Sequence, residues 1–369
     1  MKILHVSGAR GWGGNEQQII YILPKLNQLG AKNFVFGMRY SVLERECLKA
    51  KITFVGLDKK KLNLFSNFKH FTIQLNTIKP DIIHLHTSDS LTFFYFYNFF
   101  NKVKSKVIFS KKGIGDSGSY LSKLKYNYKK IDSIICVSKN VQESFGKVLN
   151  NKTRSKTVVI NDCVSLDILE STAAIKLREF YNIPKEKYLV GNIANHTAAK
   201  DLYTLINVMK FFKEVFNRKD IVFIQIGEFS SKTAAIKQYA VKSDVGDNLI
   251  FVDKIENASS LITQFDAFLL TSQREGGPTS LLEAILMKTP VVSTNVGVVS
   301  DIIIDGENGF IADIKNHYEL AKKTLLLLQN SNLQKKFTTI SFEIINDFFT
   351  SNYIAQKTLD EYKKVLNIN

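Results

Sequence analysis

The chain has 369 residues, of which 45% are hydrophobic and 11% aromatic, a composition that excludes an intrinsically disordered protein. At roughly 100–200 residues per domain, this length predicts two domains. The formal net charge is +16, and the whole surplus lies in residues 1–165, which carry 27 Lys and Arg against 10 Asp and Glu. Such a one-sided basic field predicts an anionic partner, whether a phosphate-bearing substrate, a nucleic acid or a membrane surface. The alternative is a lysine-rich composition that only keeps the protein in solution.

Three features predict a cytoplasmic protein. The longest dense apolar segment, LTFFYFYNFF at 91–100, is half as long as the roughly 20 residues that a membrane-spanning helix needs. The apolar stretch in MKILHVSG at 1–8 is too short for the core of a secretory leader. The cysteines, Cys47, Cys136 and Cys163, lie far apart without the spacing of a metal site, as expected in a reducing compartment.

Short apolar, β-branched segments recur along the chain, and each is followed by a segment of helical length. They lie at 2–6, 33–37, 81–86, 106–110, 133–138 and 157–160, and then at 188–194, 221–227, 249–253, 267–271 and 290–294. Segments that are this continuously apolar predict parallel strands covered by helices on both faces. Two sets of five or six strands predict an α/β fold with two doubly wound domains. From residue 315 onward only helical periodicity remains.

A glycine-rich loop follows the first predicted strand. Ahead of an amphipathic helix it contains Gly8, Gly11, Gly13 and Gly14. Because backbone N–H groups can approach an anion closely in such a loop, it predicts a phosphate site at the helix N-terminus. It is not a dinucleotide fingerprint, since the G-x-G-x-x-G pattern from Gly11 would need glycine where the chain has Glu16. A tight turn without a ligand is the alternative.

The segment SQREGGPTSLLEAILMKTPVVSTNVG at 272–297 is more specific. Pro278 is well placed at the first helical position, and the free N–H groups of the first turn, from Thr279 and Ser280, offer a seat for a diphosphate. Glu275 and Glu283 flank that seat, and their carboxylates can accept hydrogen bonds from the hydroxyls of a sugar nucleotide. The alternative is that Glu275 is a surface charge and Glu283 a charge favoured by the helix dipole.

The spacing of Glu275 and Glu283 in EGGPTSLLEA resembles the E-x7-E signature of retaining GT-B glycosyltransferases of family 4, and residues 266–311 follow that family's pattern almost element by element. The loop GWGGNE at 11–16 is similar to the family's GGxE. PDIIHLH at 80–86 resembles its strand ending in a functional histidine, and VGNIANHTAAKDLYTLI at 190–206 its strand-loop-Lys-helix segment. The resemblance implies two Rossmann-like domains with an interdomain donor cleft and a C-terminal helix that crosses back. We place the first domain at 1–163 together with the helix at about 353–369, and the second domain at 164–352.

The family's roles are carried over onto matching positions. The resemblance implies that Glu275 holds hydroxyls of the transferred sugar, that Lys200 neutralises the leaving diphosphate, and that His86 approaches the sugar from the N-terminal domain; we expect these three to be catalytic. Glu283 would hold the ribose, and the base would lie near 253–255. The expected substrate-binding residues are Gly13, Gly14, Glu16, Lys112, Asn192, His196, Gly227, Asp253, Lys254, Ile255, Gly276, Gly277, Pro278, Thr279, Ser280, Leu281 and Glu283.

Two positions depart from the family pattern. Asn192 stands where the family usually has Arg, so we expect Lys200 to be the main cation at the diphosphate, with His196 or Lys112 as alternatives. The family's N-G-V-D near the hinge appears here as NDCV at 161–164. His84 shares a strand face with His86, and we expect it to be a packed, hydrogen-bonded core residue rather than a ligand.

The resemblance implies a retaining glycosyltransferase that moves a hexose or N-acetylhexosamine from a UDP-sugar to a glycan acceptor in bacterial surface polysaccharide synthesis, and we expect that acceptor to be lipid-linked. The sequence contains no D-x-D triplet, so we expect no divalent metal and no other cofactor. A UDP-sugar hydrolase or epimerase on the same scaffold is the first alternative. A nucleic-acid-binding protein is the second, but it does not explain the segment that contains Glu275 and Glu283.

Two segments of the basic half mix lysines with large apolar side chains. KKKLNLFSNFKHFTIQL at 59–75 contains Leu62, Leu64, Phe65, Phe68 and Phe71, and LTFFYFYNFFNKVKSK at 91–106 places an aromatic run beside lysines. We expect the N-terminal half to dock peripherally on an anionic membrane, at the inner face of the plasma membrane, without binding nucleic acid. For 91–100 the alternative is a helix that packs in the core.

Overall fold

The computed structural model describes residues 1–58, 61–113, 119–173 and 175–368. The chain divides into two compact units. The first unit contains residues 1–163 and 351–369, and the second unit contains residues 164–350. Each unit has its own parallel sheet with helices on both faces.

The sheet of the first unit has seven parallel strands in the order β3-β2-β1-β4-β5-β6-β7. These strands are β1 (Lys2–Val6), β2 (Lys32–Met38), β3 (Thr53–Leu57), β4 (Ile82–Leu85), β5 (Lys106–Lys111), β6 (Ser133–Cys136) and β7 (Thr157–Val159). The chain runs outward from β1 to β3 and then returns to the other side of β1, so loops after β1 and β4 meet at the point where the strand order reverses.

The helices of the first unit that cover this sheet include α1 (Gly14–Gln28), α2 (Val42–Lys49), α3 (Asn67–Ile78), α4 (Ser88–Asn101), α5 (Tyr120–Tyr126), α6 (Lys139–Gly146) and α7 (Asn151–Arg154). Side chains alternate between the two faces of a strand. On β1, Ile3 packs with Leu23 of α1 on one face, whereas Leu4 packs with Phe71 of α3 and Phe93 of α4 on the other. Because the sheet is covered on both sides, its inner strands are apolar at nearly every position.

The sheet of the second unit has six parallel strands in the order β10-β9-β8-β11-β12-β13. These are β8 (Tyr188–Ile193), β9 (Ile221–Ile226), β10 (Leu249–Val252), β11 (Ala267–Leu270), β12 (Val291–Thr294) and β13 (Phe310–Ala312). Its helices are α8 (Leu177–Phe180), α9 (Leu202–Glu214), α10 (Thr233–Lys242), α11 (Thr279–Leu286), α12 (Val299–Ile302), α13 (His317–Leu328) and α14 (Ser331–Phe348). Short 3₁₀ helices lie at Leu166–Glu170, Ala198–Lys200, Gly246–Asn248 and Ala258–Gln264.

The last helix, α15 (Ser351–Leu366), belongs to the first unit and packs against α1. Its buried side chains Ile354, Leu359 and Tyr362 join the core on the α1 face of the sheet. The hydroxyl of Tyr362 lies 2.6 Å from Nδ1 of His84 on β4. The chain therefore returns to its first unit at the end, as the resemblance implies.

The predicted fold class, two doubly wound α/β domains, is confirmed. Two strands escaped prediction, β3 and β13, and both are edge strands. An edge strand pairs on one side only and is less buried, as the first three residues of β3 are, so its sequence lacks a long apolar run. Each of these segments also has a glycine nearby, Gly56 and Gly309, which weakens the strand signal.

The aromatic segment 91–100 forms most of α4 and has two faces. Phe93, Phe94 and Tyr97 are fully buried in the core, which is the packing alternative. Phe99 and Phe100 are exposed. In the part of the chain that the structure describes, no helix combines the length and the apolar character needed to cross a membrane.

Candidate functional site

In the second unit, the loops that follow β8 and β11 meet through an ion pair. Lys200 Nζ lies 2.6 Å from Glu275 Oε1, and the two side chains are 24% and 10% exposed. Ser272 Oγ donates to the same carboxylate oxygen at 2.7 Å. These loops are adjacent because β8 and β11 are neighbours in the sheet, and the carboxyl ends of parallel strands lie at one edge. The structure thus brings two of the expected catalytic residues together.

Backbone contacts fix the loop that carries Glu275. The N–H groups of Gln273 and Arg274 donate to the carbonyl oxygen of Ala199, at 2.8 and 3.3 Å. Ser272, which sequence analysis missed, adds its hydroxyl three residues before Glu275. A polar residue at this short spacing is the signal that could have identified it. The carboxylate is therefore held by its own loop as well as by Lys200.

Gly297, in the loop after β12, packs on the same segment. Its φ is +56°, and a Cβ there would overlap the carbonyl oxygen of Gly276 and lie 2.8 Å from that of Glu275. Only glycine combines this conformation with such a close approach. Sequence analysis quoted Gly297 within a longer motif but gave it no role.

The helix after this loop, α11, begins at Thr279. Pro278 is its N-cap and not its first helical residue as predicted, and it makes no side-chain cap hydrogen bond. The N–H groups of Thr279 and Ser280 therefore point out of the first turn without a capping side chain. The Oγ1 of Thr279 is buried and has no hydrogen-bond partner among the described residues.

Glu283 lies one turn further along α11 and is buried. Leu281, which we expected to bind substrate, has its side chain fully in the core. Its contribution to a ligand would therefore come from the backbone alone. Gly276 and Gly277 precede the helix, where the absence of a Cβ leaves backbone N–H groups accessible.

Asn192 lies at the end of β8 and is buried. Its Nδ2 donates to the carbonyl oxygen of Leu269 at 2.7 Å, while Oδ1 has no partner within the described part of the chain. An amide at this position carries no charge, so the positive charge of the family's Arg is not replaced here. Lys200 therefore supplies a positive charge beside Glu275 at this edge of the sheet.

His196 does not supply the charge that we considered for it. The ring is fully buried, with Nε2 2.6 Å from Gln225 Oε1 and Nδ1 2.9 Å from Thr233 Oγ1. Burial lowers the pKa of His196 below its usual value, and both ring nitrogens are already hydrogen-bonded. The expectation of a cation at this position is wrong, because a neutral packed ring cannot compensate a diphosphate charge.

The loops after β9 and β10 are joined by Asp253. Its carboxylate accepts hydrogen bonds from the N–H groups of Phe229 at 3.0 Å and Lys254 at 2.7 Å, and these bonds lower the pKa of Asp253. Gly227, at the end of β9, is required because a Cβ would overlap the carbonyl oxygen of Ala194. Lys254 is exposed and Ile255 packs partly on the core. The loops after β9 and β10 therefore present backbone groups at this edge of the sheet.

In the first unit, the glycine loop ends at the N-terminus of α1. Gly13 is the N-cap and Gly14 the first helical residue. The buried carboxylate of Glu16 accepts hydrogen bonds from the N–H groups of Gly13 and of Glu16 itself, but burial dominates and raises its pKa. Gly13 has room for a Cβ, whereas at Gly8 a Cβ would overlap the carboxylate of Asp89. An added Cβ would therefore be crowded at Gly8, where the Asp89 side chain would have to move, and not at Gly13.

Lys112, the other alternative cation, follows β5 and forms a largely buried ion pair with Asp162. Burial raises the pKa of Asp162, and Lys112 opposes that shift. Because Asp162 already balances it, Lys112 does not offer a free charge within the described residues.

His86 follows β4 and joins a buried group with His5 and His84, in which one ring nitrogen from each residue lies within 4.8 Å of the other two. His84 lies 2.6 Å from the Tyr362 hydroxyl and 2.8 Å from Ser110 Oγ, which confirms that it is a hydrogen-bonded core residue. His5 also has both nitrogens bonded. As it stands the group is a hydrogen-bonded network, since five of its six ring nitrogens have a hydrogen-bond partner.

Known proteins resemble this chain in sequence. Residues 174–343 match the family described as glycosyl transferases group 1. An N-acetyl-alpha-D-glucosaminyl L-malate synthase of Bacillus anthracis is 23% identical over 191 residues, which cover 52% of this chain and 49% of that protein. An O-antigen biosynthesis glycosyltransferase, WclY, of Escherichia coli is 25% identical over 237 residues, covering 64% of this chain and 61% of that protein. The chain thus spans about half to three-fifths of the length of these relatives.

Solved structures resemble the chain over nearly its full length. A glycosyltransferase from Rickettsia africae superposes with a TM-score of 0.84 at 20% identity, covering 100% of this chain and 99% of that one. Anabaena Alr3699/HepE, solved in complex with UDP and glucose, gives a TM-score of 0.83 at 16% identity, covering 99% and 100%. At these identities the likeness concerns the fold, and the chain shares it.

Proposed function

Because the chain has a GT-B fold and its residues 174–343 match the family of glycosyl transferases group 1, we propose that this protein is a retaining hexosyltransferase. It moves a hexose or N-acetylhexosamine from a UDP-sugar to a glycan acceptor. The observation that carries the proposal is the ion pair between Lys200 and Glu275, placed in the loops that precede α9 and α11. This edge of the second unit combines a cation, a carboxylate and an uncapped helix N-terminus.

The chemistry proposed for this edge is separation of charge. As the bond between the sugar and the diphosphate breaks, negative charge accumulates on the leaving diphosphate. Lys200 Nζ and the first N–H groups of α11 stabilise that charge, and the positions of both are fixed before substrate binds. Glu275 accepts hydrogen bonds from hydroxyls of the transferred sugar. The acceptor hydroxyl attacks from the face that the diphosphate leaves, and its proton passes to the departing phosphate oxygen. These groups supply the positive field themselves, so we propose that no divalent metal or other cofactor takes part.

The nucleotide is proposed to lie along the same edge. Glu283 accepts hydrogen bonds from the ribose hydroxyls, and the base lies against the backbone near Gly227 and Asp253–Ile255. UDP is the nucleotide we propose, and the UDP complex of the similar Anabaena protein supports this choice. From the first unit, we propose that His86 and the loop at Gly13 and Gly14 approach the donor.

The acceptor is proposed to be a growing surface polysaccharide on a lipid carrier. The names of similar proteins support a glycan acceptor, among them an O-antigen glycosyltransferase and a Staphylococcus aureus poly(ribitol-phosphate) alpha-N-acetylglucosaminyltransferase, 28% identical over 55% of this chain. A lipid-linked acceptor requires that the enzyme work at a membrane surface. The first unit, which carries the whole basic surplus, is the part that would face it.

The surface proposed for membrane contact is an aromatic patch formed by Phe65, Phe96, Phe99 and Phe100. These side chains are 66%, 36%, 74% and 65% exposed, and the rings of Phe65 and Phe96 are 6.3 Å apart. Lys102 and Lys104 follow the patch and are exposed. Such a combination favours insertion of the rings and attraction to anionic headgroups.

Part of the expected membrane segment is not available for insertion. Leu62 and Phe71 are buried in the core of the first unit, and Phe68 packs against that core, because α3 turns this side toward the sheet. The residues at 59 and 60, which we expected to contribute charge, lie outside the described residues. The proposed surface is therefore smaller than the sequence predicts and is centred on α4.

Two measurements test the proposed activity. Thermal unfolding is recorded with a panel of UDP-sugars, since a ligand that binds only the native state raises its stability. UDP release is then followed with and without a glycan acceptor. We expect one UDP-sugar to raise the unfolding temperature and the acceptor to accelerate UDP release. Free sugar released at the full rate without acceptor would favour the hydrolase, and no response to any UDP-sugar would contradict both activities.

A further inference from the structure

A chain of hydrogen bonds in the first unit links the C-terminal end of α1 to His86. It runs from Asn27 of α1 through Asn33 of β2 and His5 of β1 to the ring of His86 after β4. Asn33, His5 and His86 are buried, so water does not compete for these groups along most of the chain. The register of the sheet sets the order, because β2 and β4 both pair with β1.

The donor and acceptor directions in this series of hydrogen bonds are fixed by a backbone group that can only donate. The N–H of Asn33 donates to Asn27 Oδ1 at 3.3 Å, so Asn27 must present its oxygen. The same oxygen accepts from Asn33 Nδ2 at 2.8 Å. Asn33 therefore turns its own Oδ1 toward His5, 2.9 Å from Nε2. Since an amide oxygen only accepts, His5 carries its proton on Nε2.

The next step passes from His5 to His86. Burial lowers the pKa of His5 to about 4, so near neutral pH the ring has one proton, and that proton is on Nε2. His5 Nδ1 is then an acceptor, and it lies 2.8 Å from His86 Nε2, which must donate. Burial also lowers the pKa of His86 well below its usual value, so His86 has no second proton.

His84 does not change the positions of the protons on His5 and His86. Its ring stacks on His86 with centroids 4.1 Å apart, but its nitrogens bond to the hydroxyls of Tyr362 and Ser110. A hydroxyl can either donate or accept, so these partners adapt to either tautomer of His84. The remaining nitrogen of the group, His86 Nδ1, has no hydrogen-bond partner among the residues that the structure describes.

We infer that Asn33 and His5 are positioning residues that hold the proton of His86 on Nε2 and thereby make His86 Nδ1 a hydrogen-bond acceptor for a hydroxyl group of the bound donor sugar. The substrate contact rests on the proposed function, whereas the position of the proton does not. The opposite tautomer would present an N–H at Nδ1 and would repel a donating hydroxyl. Two asparagines remote from the substrate thus determine the polarity of the contact that His86 makes.

The position of the proton is measured directly in the free protein. Two-bond ¹H–¹⁵N correlation spectra distinguish protonation at Nδ1 from protonation at Nε2 for each of the six histidines, and His5→Gln and His86→Gln assign the two signals. We expect both rings protonated at Nε2 in the wild type. Protonation of His86 at Nδ1 would overturn the inference, whether or not the protein transfers sugar.

A matched pair of variants tests the positioning role. Asn33→Leu removes the oxygen acceptor opposite His5. We expect Asn33→Leu to shift His86 toward the Nδ1–H form and to lower kcat/KM for the UDP-sugar about tenfold, the value of one hydrogen bond, with UDP affinity unchanged. Asn63→Leu, at an exposed position of the same unit, controls for the apolar substitution.

Asn27→Leu provides a second variant that does not depend on the folding of Asn33→Leu, because Asn27 is exposed. It removes the acceptor that orients the Asn33 amide, so we expect a mixture of His86 tautomers and an intermediate rate. A switched tautomer with an unchanged kcat/KM would overturn the positioning role. Wild-type protein that neither binds nor turns over any UDP-sugar would contradict the proposed function, while the spectra would still decide where the proton lies.

Discussion

Lys200 Nζ and Glu275 Oε1 lie 2.6 Å apart, so the cation expected at the diphosphate and the carboxylate expected at the sugar neutralise each other before a donor binds. In the proposed site, Lys200 would lie between two anionic groups once the diphosphate is bound. An ion pair of two partly buried side chains restrains both rotamers, which lowers the cost of ordering them around a substrate. The pair is therefore a preorganised element of the proposed site.

The first prediction concerns Lys200. In Lys200→Ala the leaving diphosphate loses its main cation and Glu275 loses its partner, so we expect kcat to fall by about 10²–10³-fold, as for loss of a charge-stabilising group in a transition state. Steady-state kinetics with the active UDP-sugar measure this, and KM should change less than kcat. Lys210→Ala, at an exposed ion pair on α9 in the same unit, is the control. An unchanged kcat in Lys200→Ala would remove the lysine from the mechanism.

The second prediction concerns Gly297. Gly297→Ala places a Cβ against the backbone of Gly276 and Glu275 at a φ of +56°, so the loop that carries Glu275 must shift. Gly306→Ala is matched to it, because Gly306 also has a positive φ, +78°, but no neighbouring atom within 4 Å of an added Cβ. We expect Gly306→Ala to lose about 1 kcal/mol of stability and to keep its activity. Gly297→Ala should lose more stability than Gly306→Ala and should also lose activity. Equal stability and equal activity of the two variants would show that the contact with Glu275 is unimportant.

The third prediction concerns stability at acid pH. The pKa of His5 is lowered to about 4 in the folded protein from the ordinary value of about 6.5 in the unfolded chain. Between these two values the unfolded state binds more protons, so the free energy of unfolding falls as pH decreases from about 6.5 to 4. For His5 alone the loss is on the order of 3 kcal/mol, and His84 and His86 shift in the same direction.

Urea unfolding at a series of pH values checks this dependence. Carboxyl groups also titrate in this range, so the informative quantity is the difference between the wild type and His5→Gln, which has no charge to gain. We expect the wild type to lose stability more steeply below pH 6.5 than His5→Gln does. Parallel curves would mean that His5 is not held neutral by burial.

The fourth prediction concerns the aromatic patch. The double variant Phe99→Ser, Phe100→Ser removes two exposed rings from α4, each of which would contribute about 1.5–3 kcal/mol if fully buried in a bilayer. Wild-type protein should float with anionic vesicles and not with neutral ones, and less so as salt rises. The double variant should no longer float. The control variant Phe180→Ser removes a ring that is 63% exposed in the second unit and should float like the wild type. If flotation of the wild type did not depend on lipid charge, a soluble acceptor would be favoured.

The sequence predicts the inner strands of both sheets, and the two strands that it misses, β3 and β13, lie at sheet edges, whereas the other two edge strands, β7 and β10, are predicted. β8 and β11, in the middle of the second sheet, read as continuous apolar runs, whereas β13 is short and pairs on one side only. Edge position is a property of the assembled sheet, and no local pattern encodes it. The inner strand β4 (Ile82–Leu85) was predicted at 81–86, and His86 lies directly after it.

The sequence is less informative about the charge state of a side chain. His196 and Lys112 both follow strands and both look like available cations, but their partners lie 29 to 50 residues away in the chain. Gln225 and Asp162 occupy these side chains only after the sheets have formed. Which polar groups remain available for a ligand is therefore decided by tertiary contacts.

The division of roles between Glu275 and Glu283 is the central claim, and calorimetric titration of UDP and of the UDP-sugar into Glu275→Gln and Glu283→Gln tests it most directly. The account predicts that Glu283→Gln weakens UDP binding by about 1–3 kcal/mol, because the buried carboxylate is proposed to accept hydrogen bonds from the ribose. Glu275→Gln should leave UDP affinity unchanged and weaken only the UDP-sugar, since UDP has no hexose. Equal loss of UDP affinity in both variants would contradict the account.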